Sequence, residues 1–484
     1  MSELLNLEPK GLWKHFDKIC SIPHPSKHEE KIVAALVDFA KANNIEYKID
    51  ETGNLIMRKP ASKGMENRKG VILQAHVDMV PQKNNDTKHD FENDPILPRI
   101  EGEWIKATGT TLGADNGIGV AAALAVLEDK DLVHGPVEAL FTIDEETGMT
   151  GAFGLKAGEL EGDILLNLDS ETEGELYVGC AGGIDATIRF DFTKEAMPAS
   201  YSAFELTVKG MKGGHSGMDI ILGRGNANKT LFRILKALEV VDVRLGNING
   251  GSLRNAIPRE AFCTIAVPTD KAQEAMNIVK ELESVVKSEL SAVEPDLVIT
   301  MTEASSCEFV MDTDAAKRVV RAIYACPNGV YRMSDSMENL VETSSNLAIV
   351  KTDGDQILAC ALLRSSVDTA KADFAEMMAS VIELAGGNIE FAGGYPGWKP
   401  NMQSPILETM TSTYKKMFGR IPKVMAIHAG LECGLLGGVY KNWDMISFGP
   451  TIQNPHSPDE RVNIASVKLF WEYLTETLKN VPTK

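Results

Sequence analysis

No run of apolar residues in this 484-residue chain is long enough to cross a bilayer, so a membrane span is not expected. Nor does the sequence hold a Cys-x-x-Cys pair. Its seven cysteines (Cys20, Cys180, Cys263, Cys307, Cys326, Cys360 and Cys433) are odd in number and scattered. This pattern argues against a disulfide framework or a thiolate zinc site, and for a reducing compartment. Positive charge is in deficit: 49 lysines and arginines face 68 acids, a formal net charge of −19 spread along the chain. That balance disfavours nucleic acid and anionic membrane surfaces as partners. The amino terminus lacks the basic start and apolar core of a signal peptide, so a cytoplasmic protein is expected. Internal repeats and low-complexity tracts are also missing.

What is there has an ordinary globular balance, 44% hydrophobic and 24% charged, in a chain long enough for two or three domains. Residues 11–43 predict helices, with Ser26-Lys-His-Glu29 at capping-box spacing ahead of an amphipathic run. His15, His24 and His28 lie there among charged neighbours and are expected on the surface. The stretch around which the chain is organised is Val71–Val80. It starts as an apolar strand and delivers His76 and Asp78 on one face, because alternate strand residues share a face. Neutral imidazole is a good ligand for a transition metal, and a nearby carboxylate can orient the ring. Alone, this spacing is a weak metal signal and is more ordinarily a hydrogen-bonded histidine at a strand end.

The same arrangement then recurs. Thr108–Gly119 places Asp115 between glycines ahead of an Ala-rich helix, and it lacks the Walker or Gly-x-Gly-x-x-Gly spacing of a phosphate loop. A carboxylate held in a turn and free to bridge two cations fits it better. The apolar strand Val137–Ile143 ends in Asp144-Glu145-Glu146, three acids that repel unless solvated or neutralised by cations. Asp163–Asp169 is a third strand ending in an acid, and Asn454–Glu460 is a Pro-fixed loop presenting His456. Ligands in open α/β sheets bind beyond the carboxyl ends of strands, so these tips point to one site. Between Gly182-Gly183 and Gly393-Gly394 the pattern changes to strands broken by long helices, which suggests an inserted α+β domain. The expected division is 1–186, 187–394 and 395–484, the first and last forming one domain.

Together, His76-x-Asp78, Gly113-Ala-Asp115-Asn-Gly, Asp144-Glu145-Glu146, Asp169 and His456-Ser-Pro-Asp-Glu resemble the M20 family of co-catalytic zinc peptidases and deacylases, over essentially the whole chain. The resemblance implies an α/β catalytic domain, with a central mixed sheet flanked by helices, and an inserted α+β domain for lid and dimer formation. It implies two Zn2+ per subunit, with Mn2+ or Co2+ able to substitute. Asp115 would bridge the ions, His76 and Asp169 would complete one site, and Glu146 and His456 the other. Asp78 would hold His76, and Glu145 would be the general base and acid. In the inserted domain, His215 of Lys212-Gly-Gly-His215-Ser-Gly would stabilise the oxyanion, in its own or a partner subunit's site. Asn255 and Arg364 would hold the substrate's oxyanion or terminal carboxylate, an ordinary ion pair being the alternative for Arg364. His428 and Glu432 would support the site.

The segments Gly250–Pro258 and His428–Gly434 narrow the implied activity to a dipeptidase that releases carboxyl-terminal histidine from unblocked dipeptides such as β-alanyl-histidine. A homodimer through the inserted domain is implied as well. The alternatives are an N-acyl-amino-acid deacylase or carboxypeptidase with the same metals, and a non-catalytic binding protein. Retention of Glu145 and every metal motif disfavours the last.

Overall fold

The computed structural model describes residues 2–484 and divides into two compact units. The first runs to Gly179 and takes in Pro400–Ala426 and Leu431–Lys484; the second comprises Cys180–Lys399 and Ile427–Gly430.

Three strands carry the centre of the first unit: β1 (Val71–His76), β2 (Val137–Thr142) and β3 (Ile164–Asn167). Every residue of the three is buried, which is why each reads as a continuous apolar run rather than an alternation. β1 lies parallel to β2 on one side and to β3 on the other, so the three carboxyl ends finish together. The full eight-stranded sheet runs Glu46–Ile49, Leu55–Lys59, β2, β1, β3, Asp444–Ser447, Glu175–Cys180, Lys423–Ile427. Leu55–Lys59 is antiparallel to β2, so the sheet is mixed.

Helix α1 (Ala114–Glu128) is apolar on all sides and almost wholly buried, against β1 and the helix Lys10–Cys20. A short helix α2 (Glu145–Gly148) follows β2, and α3 (Glu432–Val439) lies late in the chain. A four-stranded side sheet runs Ile452–Gln453, Arg461–Asn463, Trp104–Ala107, Pro98–Glu101, and the turn between its first two strands carries His456.

Two sequence expectations fail in the amino-terminal helices. His15 and His24 are buried, at 5% and 3% exposure, and only His28 keeps an exposed side chain. His15 lies on the inner face of its helix, with Nε2 3.0 Å from Glu128 Oε2 and its ring edge-on to Phe39. An imidazole so paired can be buried despite charged sequence neighbours. The capping box does not form either: Ser26 Oγ donates to Asp78 Oδ2 at 2.8 Å, and Glu29, the N-cap of the helix Glu30–Ala42, turns its carboxylate to the Lys27 and Asp144 N–H groups instead of capping that helix.

The second unit is built on a nine-stranded sheet whose main path runs Val298–Glu303, Tyr201–Lys209, Ala261–Pro268, Arg244–Gly250, Val341–Asp353, Gln356–Ser365, Gly182–Asp191, Asn388–Tyr395. Its pairings are antiparallel, and the helices Ala227–Ala237, Ala272–Glu289, Thr313–Ala325 and Asp368–Leu384 accompany it, an α+β organisation. Phe204, Phe232, Leu235, Ile265, Val319 and Phe374 fill its core. No helix among the described residues is long and apolar enough to cross a membrane. All seven cysteines are buried.

Candidate active site

β1, β2 and β3 finish side by side, and the polar residues just beyond them meet in the first unit. Asp115 is the hub. Its Oδ1 lies 3.1 Å from His76 Nε2, and its Oδ2 lies 3.2 Å from His456 Nε2. His76 Nε2 is also 3.3 Å from Asp169 Oδ1, and His456 Nε2 is 3.0 Å from Glu146 Oε2. Two three-residue groups therefore share one aspartate: His76, Asp115 and Asp169, and Asp115, Glu146 and His456. Asp115 has extended rather than helical backbone angles at the start of α1, which turns its carboxylate out of the helix. His456, with φ 58°, and Asp144, with φ 49°, are non-glycine residues in the left-handed region, which costs of order 1 kcal/mol each and marks both turns as constrained by their surroundings.

Asp78 ties these turns together. Its Oδ1 accepts the Glu145 N–H at 3.0 Å and lies 3.3 Å from His76 Nδ1, while Oδ2 accepts the Glu146 N–H at 3.2 Å. The backbone oxygen of Asp78 is closer still to His76 Nδ1, at 3.0 Å, so this residue orients the ring twice over. Asn116 Nδ2 donates to Asp169 Oδ1 and to the Leu168 oxygen.

This donor set suits divalent cations. Among the described residues, Asp115, Glu146 and Asp169 have no ion-pair partner except His76 and His456. Glu146 Oε1 is buried with no hydrogen-bond partner among the described residues. Buried carboxylates in such excess over cationic side chains need compensation. Burial works against charge on His76, but Asp169, Asp115 and Asp78 outweigh it and raise its pKa well above the usual value. Burial also raises Glu145 well above the carboxylate range, aided by Asp169, Glu432 and Glu146. Imidazole nitrogens and carboxylate oxygens in this arrangement can hold zinc, manganese or cobalt.

The remaining expected residues fall in the second unit. His215 pairs with Ala256 across a short antiparallel bridge, and the Ser216 N–H donates to the Asn255 oxygen at 2.8 Å, which sets His215 beside Asn255. His215 Nδ1 accepts the N–H groups of Gly217 and Met218, at 3.2 and 3.0 Å, which leaves the ring proton on Nε2. Burial and the Arg364 guanidinium lower its pKa, so a neutral N–H donor is favoured. Arg364 is buried, donates to Tyr395 Oη at 3.0 Å and has no carboxylate partner among the described residues. His428 is also buried, with Nε2 2.7 Å from Ser344 Oγ; burial and Arg364 push its pKa down to about 3.

Three further features of the first unit complete the surroundings of the site; sequence reasoning gave Glu432 a supporting part but assigned none to Glu460, to Glu171 or to the partners of Glu432. Glu460 is buried and accepts four backbone N–H groups from Leu112 to Asp115. Glu432 Oε2 accepts from Gln74 and Thr142, at 2.6 and 3.0 Å. Glu171 is raised to about 8 by burial and by Asp115 and Asp169. The signal for Glu460 was its place in the His456 motif; Gln74 and Thr142, polar residues inside apolar strands, were the signal for the second network.

Comparison with known proteins agrees with this geometry. The profile of peptidase family M20/M25/M40 matches residues 72–480. The cytosol non-specific dipeptidase of Escherichia coli (strain K12) is 51% identical over 485 residues, covering 100% of both chains. The crystal structure of aminoacylhistidine dipeptidase from Vibrio alginolyticus superposes with a TM-score of 0.97 at 52% identity, covering 100% of this chain and 99% of that one. Aminopeptidase PepT from Bacillus cereus ATCC 10987 shares the fold at 17% identity, with a TM-score of 0.63 over 98% of this chain and 99% of its own. This chain belongs to peptidase family M20/M25/M40.

Proposed function

We propose that this protein is a metal-dependent dipeptidase that hydrolyses unblocked dipeptides, those ending in histidine included. The observation that carries the reading is the convergence of His76, Asp115, Glu146, Asp169 and His456 around one shared aspartate. His76, Asp115 and Asp169 would hold one divalent cation, and Asp115, Glu146 and His456 a second, zinc being the expected ion. Bound there, such cations lower the pKa of water and polarise the scissile carbonyl.

Glu145 supplies the proton chemistry. It lies among the proposed ligands, and its carboxylate accepts no hydrogen bond from the described residues, which leaves it free to take a proton from the attacking water and return it to the leaving amine. Asp78 fixes the two adjacent glutamates through their backbone, so that Glu145 and Glu146 take different roles. His215, with its proton on Nε2, donates to the developing oxyanion, and Asn255 assists. Arg364, a buried cation with no carboxylate partner among the described residues, takes the carboxylate of the substrate.

The dipeptidase assignment is supported by full-length relatives at 51% and 52% identity, one named a cytosol non-specific dipeptidase and the other an aminoacylhistidine dipeptidase. The two names differ in breadth, and a panel of unblocked dipeptides with and without carboxyl-terminal histidine measures that breadth here. N-acyl-amino acids belong in the same panel: preference for them would replace this reading with a deacylase. The protein works in the cytoplasm as a homodimer formed through the second unit.

A further inference from the structure

Asp115 and His456 stand 341 residues apart in sequence, and their side chains meet at 3.2 Å. One residue joins the backbone segments that carry them. Glu460 closes the turn that presents His456: its N–H donates to the Ser457 oxygen at 2.9 Å, and Arg461 begins the next strand. Its side chain, 2% exposed, reaches the turn that carries Asp115. Oε2 accepts the N–H groups of Leu112 and Gly113 at 2.7 and 3.0 Å; Oε1 accepts those of Ala114 and Asp115 at 2.8 and 3.3 Å.

Amides at the start of a helix lack partners inside it, and a local serine or aspartate usually caps them. At α1 no side chain of the cap residue does so: Gly113 occupies that position, with φ 69°. The glycine lets four consecutive N–H groups converge on one carboxylate, brought from the far end of the chain. No lysine, arginine or histidine pairs with Glu460 among the described residues, so these amides are the partners that compensate its charge.

The geometry points to Glu460 as a positioning residue of the metal centre: it locks the His456 turn to the Asp115 turn and so sets the spacing of the Asp115, Glu146 and His456 donor atoms. The inference rests on the metal-dependent reading above. His76 and Asp169 are held by the ends of β1 and β3, by Asp78 and by Asn116, none of which involves Glu460. Asp115 belongs to both sites but His456 to only one, so loss of the Glu460 carboxylate weakens the Asp115, Glu146 and His456 site more than the other.

Glu460→Gln preserves shape but turns an NH2 group toward two of the four N–H donors. Glu460→Asp keeps charge and both acceptors on a shorter arm. For each, zinc is titrated into metal-stripped protein against a competing chelator, and melting temperature is measured with and without zinc. Glu460→Gln is expected to bind one of two ions about 10–100-fold more weakly than wild type, with a smaller zinc-induced rise in Tm, and Glu460→Asp to fall between. A variant that melts lower without metal yet binds both ions as wild type does would make Glu460 a helix cap and nothing more, and overturn the inference. Should Glu460→Gln not fold, Glu460→Asp decides on the same criterion. Wild-type protein that binds no zinc would instead overturn the metal-dependent reading, an outcome separate from either variant's.

Discussion

Glu145 and Glu146 are adjacent yet differently placed, and the difference is testable by substitution. Glu146 Oε2 faces His456, whereas the Glu145 carboxylate is held by no hydrogen bond among the described residues. Glu145→Gln is expected to retain wild-type metal content and to lose turnover by about 10²–10⁴-fold, the usual worth of a general base. Metal analysis beside kcat checks both halves, and an unimpaired rate would place the base elsewhere. Arg364→Ala is expected to raise KM for free dipeptides roughly 10–100-fold, as a lost charge-assisted bond does, and to change little for a dipeptide amide. Equal effects on the two would mean that Arg364 does not read the carboxylate. His428 makes a prediction about pH. Its native pKa is pushed down to about 3 from a usual 6.5 by burial and by Arg364. Below pH 6.5 the unfolded chain takes up a proton that the native imidazole refuses, so stability falls as pH drops from there toward 3. The slope from this residue approaches about 1.4 kcal/mol per pH unit. Urea unfolding between pH 6.5 and 5 measures it, and His428→Gln is expected to flatten it by that amount; an unchanged slope contradicts a buried neutral His428.

At the scale of elements, three parallel strands do the gathering. Their legibility was high because each is buried on both faces and ends abruptly in His or Asp/Glu, so apolar run and polar tip are both visible in one dimension. Contacts that folding alone brings about were not legible. Ser26 has the spacing of a capping residue but bonds Asp78, 52 residues on, and Glu460 caps a helix 345 residues away. His15 and His24 looked exposed because their neighbours in sequence are charged, whereas their neighbours in space are apolar or paired. Helix α1 shows how packing reaches the site. A Cβ on Gly119 would stand 2.1 Å from Oδ1 of Asn116, whose Nδ2 donates to Asp169, and 2.9 Å from the Leu168 oxygen, which accepts from that same Nδ2. Gly119→Ala is expected to lower stability by about 1–3 kcal/mol through overpacking and to weaken metal binding with it. Denaturant unfolding and zinc titration read the two effects, and unaltered metal affinity would show that α1 does not hold Asp169 in place.

For the whole molecule, the division into a mixed-sheet unit carrying the proposed metal ligands and an antiparallel unit carrying His215, Asn255 and Arg364 would separate metal binding from the proposed handling of substrate. The change in sequence texture after Gly182-Gly183 was visible because alternating antiparallel strands differ from doubly buried parallel ones. The return of Ile427–Gly430 to the second unit was not, since four residues carry no periodicity. A homodimer predicts a solution mass near twice the 52.6 kDa chain by light scattering, and a monomer at working concentration would contradict it.

The central claim is that five side chains from strand ends and turns far apart in sequence grip two cations without which no peptide bond is cut. Turnover of chelator-stripped protein, followed as zinc is returned, tests it most directly. Activity is expected to be nearly absent at the start and to be restored by two equivalents per chain. A stripped protein that cleaves dipeptides at its full rate would contradict the account.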